Sequence, residues 1–172
     1  MKKPYITLIL HSVLLSFWLA LPANAHQDEN TMLQCHVEVP ATVAVGDKVP
    51  LKFKLTNTTK KDLMVLKWNT PLEGWFGSSF KVTKDGKWVN YMGAMVKRFR
   101  PSQSDYAELA PGKSIEQTVN LAEGYDMKTP GNYKLMFKGR LQDVQSLGKD
   151  QPLSKERKLQ QVSCNELTVI VR

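Results

Sequence analysis

Histidine and cysteine are the residue types most able to do chemistry in this sequence, and they are few. The chain has three histidines, His11, His26 and His36, and two cysteines among its 172 residues. No H-E-x-x-H occurs, which excludes the commonest zinc-hydrolase arrangement, and no G-x-S-x-G accompanies a histidine that could serve as a base. A glycine-rich phosphate loop is also absent from the sequence. We therefore expect a protein that is not an enzyme and uses no cofactor.

The two cysteines, Cys35 and Cys164, lie far apart in the chain. An even pair in an oxidising compartment normally forms a disulfide. Metal binding by two lone thiolates would need further ligands at metal-site spacing, and the sequence has none there. We predict one disulfide between these residues.

A copper site is the one metal hypothesis that the histidines support. If a signal peptide were removed after Ala25, His26 would offer both its α-amino group and its imidazole, a pair of nitrogens that suits Cu(II). His36 could supply a third nitrogen. The alternative is that His26 is a frayed terminal residue and His36 a surface residue of a strand. We rank the copper carrier behind the interpretations that need no metal.

The N-terminus has the layout of a cleavable secretory signal. Two lysines precede an apolar run over residues 6–21, and Ala23-Asn24-Ala25 places small residues where a signal peptidase cuts. The run is shorter than the roughly 20 residues that span a bilayer. We predict a signal peptide at 1–25 and one β-sandwich domain at 26–172, in a periplasmic or secreted protein without stable membrane insertion.

The formal net charge of +8 falls to +6 once the two lysines of the signal are removed. Many of the remaining lysines alternate with apolar residues, as on the solvated face of a sheet. Solubility is the simplest interpretation, and attraction to an acidic partner is the second. Nucleic acid is not expected, because no stacking-aromatic motif accompanies the charge.

Apolar residues recur with period two through most of the chain. Leu51, Phe53 and Leu55 fall on one face of a predicted strand whose other face carries lysines. Residues 63–68 form a nearly continuous apolar strand. The clearest hairpin turns at Asp85-Gly86, because this dipeptide suits the positive dihedrals of a tight turn.

The second half of the sequence continues the pattern. Val162 and Cys164 have the opposite parity to the last strand, which indicates a bulge or a strand that changes sheets. Tyr133 follows Pro130-Gly131, where immunoglobulin-like folds place a corner tyrosine. Residues 121–127 predict a short helical turn, and the polar stretch 139–160 predicts a long loop. The sequence therefore predicts an all-β, immunoglobulin-like Greek-key β-sandwich with one long loop near the C-terminus.

The most distinctive motif is Val65-Leu66-Lys67-Trp68-Asn69-Thr70-Pro71-Leu72-Glu73-Gly74, followed by Lys97-Arg98-x-x-Pro101 and Tyr125-Asp126. In combination these resemble the N-terminal, non-catalytic region that precedes the peptidase domain of deuterolysin-type (aspzincin) zinc metalloendopeptidases. The resemblance covers roughly residues 49–138. It implies a prodomain-like module, because neither H-E-x-x-H nor a downstream aspartate ligand follows.

The family resemblance also implies a role and a partner. In that family the region is associated with folding of the enzyme and with keeping it inactive. We therefore expect a protein partner, a secreted zinc metallopeptidase, on which this module acts as an inhibitor or as a folding and secretion chaperone. A generic exported interaction domain is the alternative.

Two loops are the predicted partner contacts, because loops at the ends of a sandwich carry recognition. They cover residues 69–79 and 139–160. The competing explanation for the apolar residues of the first loop is that they fold back onto the domain's own core. The predicted contact residues are Leu72, Glu73, Trp75, Phe76, Arg140 and Lys149.

Overall fold

The structure is a computed structural model that describes residues 32–147 and 152–172. The predicted signal peptide, His26 and Lys149 lie outside these residues. Strands make up most of the regular structure, with short 3-10 turns between some of them. The strands are β1 Leu33–Glu38, β2 Thr42–Val43, β3 Pro50–Asn57, β4 Asp62–Leu66, β5 Phe80–Lys84, β6 Lys87–Val89, β7 Tyr106–Leu109, β8 Ser114–Asn120, β9 Gly131–Phe137, β10 Arg140–Leu141, β11 Val144–Leu147, β12 Gln160–Gln161 and β13 Leu167–Val171.

The strands assemble into sheets that pack face to face. Two three-stranded sheets have the orders β1-β3-β8 and β11-β4-β7, a five-stranded sheet has the order β2-β13-β9-β5-β6, and β10 pairs with β12. Phe53 of β3 meets Phe137 of β9 with 5.1 Å between ring centroids. Leu63 and Val65 of β4 join the same buried cluster. The prediction of an all-β sandwich is confirmed.

The period-two pattern places the predicted side chains inside. Leu51, Phe53 and Leu55 are fully buried in β3. The hairpin between β5 and β6 turns at Asp85 (φ 45°) and Gly86 (φ 81°). Positive φ at both central residues gives the turn whose twist matches the flanking strands. Alternation and turn chemistry were therefore sufficient to locate these strands.

Tyr133 occupies a tyrosine corner, as predicted. Its side chain is fully buried, and its hydroxyl donates to the carbonyl oxygen of Thr129 at 2.9 Å. A tyrosine that hydrogen-bonds the backbone a few residues upstream is characteristic of immunoglobulin-like sandwiches. The predicted helical turn is a 3-10 turn at Leu121–Glu123.

The parity change near the C-terminus reflects a strand that changes sheets. β12 pairs with β10, whereas β13 pairs with β9 in the five-stranded sheet. Between them, the Asn165 side chain bonds both the amide and the carbonyl of Val37, each at 2.9 Å. The predicted disulfide joins Cys35 to Cys164 across 129 residues of sequence. Closing so long a loop stabilises the fold by about 4–5 kcal/mol in the chain-entropy model.

The region predicted as a long loop, residues 139–160, is partly folded into strands. It contains β10 and β11, and β11 extends the sheet of β4 and β7. The cause is a buried polar group. The Asp143 carboxylate accepts hydrogen bonds from the Tyr106 hydroxyl, the Gln145 amide and the Lys158 backbone N–H, each at 2.7 Å. Buried polar residues are stable when fully hydrogen-bonded, but in the sequence they resemble a solvated loop.

Candidate partner-binding surface

The connection after β4, residues 69–79, begins with a tight turn that orients the carboxylate of Glu73. Asn69 has a φ of 57°, and Thr70 caps the 3-10 turn Pro71–Glu73 by accepting from the Leu72 amide at 3.2 Å. The Thr70 hydroxyl also donates to the Lys67 carbonyl at 2.7 Å. The Asn69 N–H donates to Glu73 Oε1 at 2.7 Å. The turn therefore fixes the Glu73 carboxylate in one orientation.

Trp75 fastens the same connection to the core. Its side chain is 8% exposed, and its indole N–H donates to the Asn120 carbonyl at 2.6 Å. The ring packs edge-on against Phe80 and Tyr125, with centroids 6.2 and 5.8 Å away. Gly124 lies beneath it, where a Cβ would stand 3.2 Å from the indole. Trp75 is thus a core residue, in line with the explanation that the loop folds back onto the domain.

The connection between β6 and β7 has a different character. From the bridge at Tyr91 to the 3-10 turn at Gln103–Asp105 the backbone forms no helix or strand. We call residues 92–99 the apolar segment, because its large hydrophobic side chains project into solvent. Met95 is 84% exposed and Phe99 is 88% exposed. The exposed apolar residues of the segment are Met92, Met95, Val96 and Phe99.

Arg98 joins the two connections. Its guanidinium lies 5.1 Å from the centroid of the Trp68 ring and 6.0 Å from that of Phe76. It also forms an ion pair and a short hydrogen bond with Glu73. Its side chain is 27% exposed and that of Glu73 10% exposed, so the pair is largely shielded from water. The contacts of this planar cation with two aromatic rings anchor the C-terminal end of the otherwise irregular apolar segment.

The carboxyl groups near Arg98 respond to it electrostatically. Burial raises the pKa of Glu73 above its ordinary value, while the Asn69 amide and the Arg98 guanidinium oppose that shift. The pKa of Asp105 is lowered, first by hydrogen bonds from Ser102 and also by Trp68 and Arg98. Asp105 accepts from the Trp68 indole N–H at 3.1 Å. Arg98 therefore has Glu73 as its ion-pair partner and exerts a smaller electrostatic effect on Asp105.

The predicted contact residues that the structure describes lie in different surroundings. Glu73 and Phe76 are brought together around Arg98, and Phe76 remains 44% exposed. Leu72 is half-buried against the core, and Trp75 is inside it. Arg140 is exposed on β10, in the sheet that it forms with β12. Lys149 lies outside the described residues. The assignment of these residues to partner binding stays a prediction.

Sequence reasoning missed the apolar segment. The signal was present: four large apolar residues and three cations occur over residues 92–100 without the spacing of a strand or a helix. When the fold leaves such apolar residues exposed to solvent, they indicate a surface that a partner protein can bury.

Among residues 32–147 and 152–172 there is no group of three or more His, Cys, Asp or Glu side chains arranged to hold a metal ion. His36 is exposed on β1, with Nε2 3.2 Å from Glu38. The copper hypothesis also needs His26, which lies outside these residues.

Comparison with known proteins relates part of the chain to proteases. No protein-family model matches it. It is 37% identical over 95 residues to a protein named extracellular protease from Aeromonas hydrophila, which covers 53% of this chain and 26% of the relative. It is 33% identical over 93 residues to a neutral protease 2 homolog of Uncinocarpus reesii, covering 52% of this chain and 26% of the relative. A neutral protease 2 homolog of Coccidioides posadasii, MEP6, is 24% identical over 132 residues, 76% of this chain and 36% of the relative.

These names correct one expectation. We expected a protein that is not an enzyme, and the protease names of the relatives, which match part of this chain, contradict this expectation. The chain spans about a quarter of the length of the first two relatives. Their names support a protease-related region and do not single out a prodomain.

Two findings agree on the compartment. One relative is named an extracellular protease, and Cys35 is bonded to Cys164. These two findings fit a secreted protein. Separately, no helix among the described residues is long and apolar enough to cross a membrane.

Proposed function

We propose that this β-sandwich binds the catalytic domain of a secreted zinc metallopeptidase and acts on it as an inhibitor or as a folding and secretion assistant. The observation that carries the proposal is the apolar segment at 92–99, whose exposed hydrophobic side chains adjoin Arg98, the residue that pairs with Glu73. The protease names of the relatives supply the class of partner.

Burial of the exposed apolar side chains of the segment favours binding of a partner protein. Large apolar side chains that remain in water forgo about 1.5–3 kcal/mol each relative to full burial. Met95 and Phe99 are almost completely exposed, so a partner that covers them gains this free energy. Aromatic side chains at the centre of an interface commonly dominate binding. Phe99 is therefore the side chain on which we expect the interface to depend most.

The way the segment is held also favours binding. Arg98 is packed between Trp68 and Phe76, so its neighbours on either side start from a restricted set of conformations. A preorganised segment loses less conformational entropy when a partner covers it. This property suits an inhibitor and equally a template for folding.

The alternative is a generic exported interaction domain that uses the same exposed side chains on another partner. The protease names among the relatives favour the peptidase. A titration against a peptidase separates the two hypotheses, because only the first requires inhibition or assisted folding.

The test uses the Aeromonas hydrophila extracellular protease as the probe. The purified protein is titrated into a casein hydrolysis assay, with hydrolysis by the protein alone subtracted. In parallel, the yield of active protease after dilution from denaturant is measured with and without the protein. We expect saturable inhibition, a higher refolding yield, or both.

A matched pair of variants locates the contact. Met95→Ser with Phe99→Ser removes the most exposed apolar side chains of the segment, and Trp88→Ser removes a comparably exposed aromatic side chain from the five-stranded sheet. We expect the first variant to weaken the effect by about tenfold or more and the second to leave it unchanged. Absence of inhibition and of assisted refolding at high micromolar concentration would overturn the proposal.

A further inference from the structure

A cleft beside the apolar segment combines positive charge with an aromatic rim. It has a volume of about 550 Å³ and lies between residues 99–101 on one side and residues 153–157 on the other. Phe99 stands at the rim and Tyr106 is buried at the base. The cleft is thus continuous with the apolar segment, because Phe99 belongs to both.

Three cations line the cleft without carboxylate partners. Arg100, Lys155 and Arg157 are all exposed, and within the described ranges none of them lies within ion-pair distance of an acidic side chain. Most other lysines and arginines of the described residues are also beyond ion-pair distance of a carboxylate, so these three are distinguished by lining one concave site. Three unpaired cations around one concave site attract a negatively charged ligand and repel a positive one.

The base of the cleft is rigid. The Tyr106 hydroxyl donates to the buried Asp143 carboxylate, and Asp143 also accepts from the backbone N–H of Lys158. The backbone N–H of Ser154 donates to Gln145 Oε1 at 2.7 Å. These bonds hold residues 154–158 along the edge strand β11, so this wall of the cleft is in place before a ligand arrives. A preformed concave site with a few convergent charged groups is typical of binding sites.

We infer that this cleft binds an acidic peptide segment of the partner, with carboxylates facing Arg100, Lys155 and Arg157 and an apolar side chain against Phe99 and Leu153. Guanidinium groups suit this ligand, since each can hold a carboxylate through two parallel hydrogen bonds. The inference rests on the proposed function for the identity of the partner as a peptidase. It adds the chemistry by which that partner is recognised.

The first experiment needs no peptidase. Its probe is a fluorescent peptide that alternates glutamate with phenylalanine, and the matched control peptide has glutamine in place of glutamate. Fluorescence anisotropy should show binding of the acidic peptide that weakens as salt is raised, because exposed charges are screened within about 10 Å at 0.1 M salt. The glutamine peptide should bind about tenfold more weakly or worse.

A charge-matched pair of variants locates the site. Arg100→Glu with Arg157→Glu reverses two charges in the cleft, and Lys81→Glu with Lys134→Glu makes the same net change on the outer face of the five-stranded sheet. We expect only the cleft variant to lose peptide binding by about tenfold or more. Equal loss in both variants would mean attraction to net charge alone and would overturn the inference, as would equal binding of the two peptides.

The second experiment separates this inference from the proposed function. The cleft variant is titrated in the casein assay beside the wild-type protein. If the wild-type protein acts on the protease and the cleft variant acts equally well, the cleft inference fails and the proposed function stands. If the acidic peptide binds the cleft and the wild-type protein has no effect on the protease, the proposed function fails and the cleft is a site for an acidic segment of another protein.

Discussion

The connection at residues 69–79 contains Leu72, Trp75 and Phe76, and the apolar segment at 92–99 contains four large apolar residues. In the first, Trp75 is buried among core aromatics and Leu72 packs against the core. In the second, Met95 and Phe99 are almost fully exposed. The two connections have a similar number of large apolar residues. They differ in exposure, since the first leaves only Phe76 substantially exposed and the second exposes all four. Apolar residues in a loop therefore identify a binding surface only when the fold leaves them uncovered.

The two connections depend on each other despite this difference. Arg98 belongs to the exposed segment, yet its partners Glu73 and Phe76 belong to the connection at 69–79. The buried connection thus acts as a support and the exposed one as the surface that it carries. The following predictions test that division, beginning with the largest expected effect.

Trp75→Ala should lower the free energy of unfolding by about 3–5 kcal/mol, because it empties a core site and leaves the Asn120 carbonyl without its indole donor. Phe99→Ala should change the free energy of unfolding by less than about 0.5 kcal/mol, because this side chain is already exposed in the folded protein. Chemical denaturation of both variants measures the difference. Similar losses would show that the two connections do not divide the roles of support and surface.

Arg98→Ala should lower the free energy of unfolding by about 1–3 kcal/mol at neutral pH, because it leaves the Glu73 carboxylate shielded from water without its cation. Arg98→Lys should retain only part of the free energy of unfolding that Arg98→Ala loses, since an ammonium lacks the planar group that contacts the rings of Trp68 and Phe76.

The pH dependence of this variant follows from the sign of the pKa shift. Loss of Arg98 raises the pKa of Glu73 further, because the guanidinium opposes the effect of burial. A carboxyl whose pKa is raised in the folded state destabilises the fold above that pKa, and the cost disappears below its unfolded value of about 4.3. The difference in stability between Arg98→Ala and wild type should therefore be largest at neutral pH and shrink towards pH 4. A constant difference over this range would contradict the role given to the ion pair.

Chymotrypsin should cut the native protein after Phe99 about tenfold faster than after Phe76, or more. Phe99 is 88% exposed in backbone that forms no regular structure, and Phe76 is 44% exposed, close to the buried Trp75. Mass spectrometry of the earliest fragments gives the two rates, and a protein denatured beforehand provides the control in which both sites should be cut. An earlier cut after Phe76 would reverse the assignment of the two connections.

Much of the fold could be predicted because its causes are local. Alternating apolar residues in β3, the Asp85-Gly86 turn and the corner Tyr133 each act within a few residues of sequence. Cys35 and Cys164 could be paired because they are the two cysteines of the sequence. The candidate site was less predictable, since Trp75 and Phe99 are both aromatic residues in irregular segments and nothing local distinguishes them.

The sequence by itself determined the sandwich class, its main strands and the disulfide, because side-chain periodicity and turn residues are properties of neighbouring positions. Only the tertiary structure decided which apolar residues of the two connections, 69–79 and 92–99, are covered. Trp75 is buried because Asn120 and Tyr125, about fifty residues further along the chain, come to lie beside it. Asp143 is buried because Tyr106 and Lys158 complete its hydrogen bonds from two other parts of the chain. Long-range partners decided these outcomes, and the pattern of neighbouring residues does not contain them.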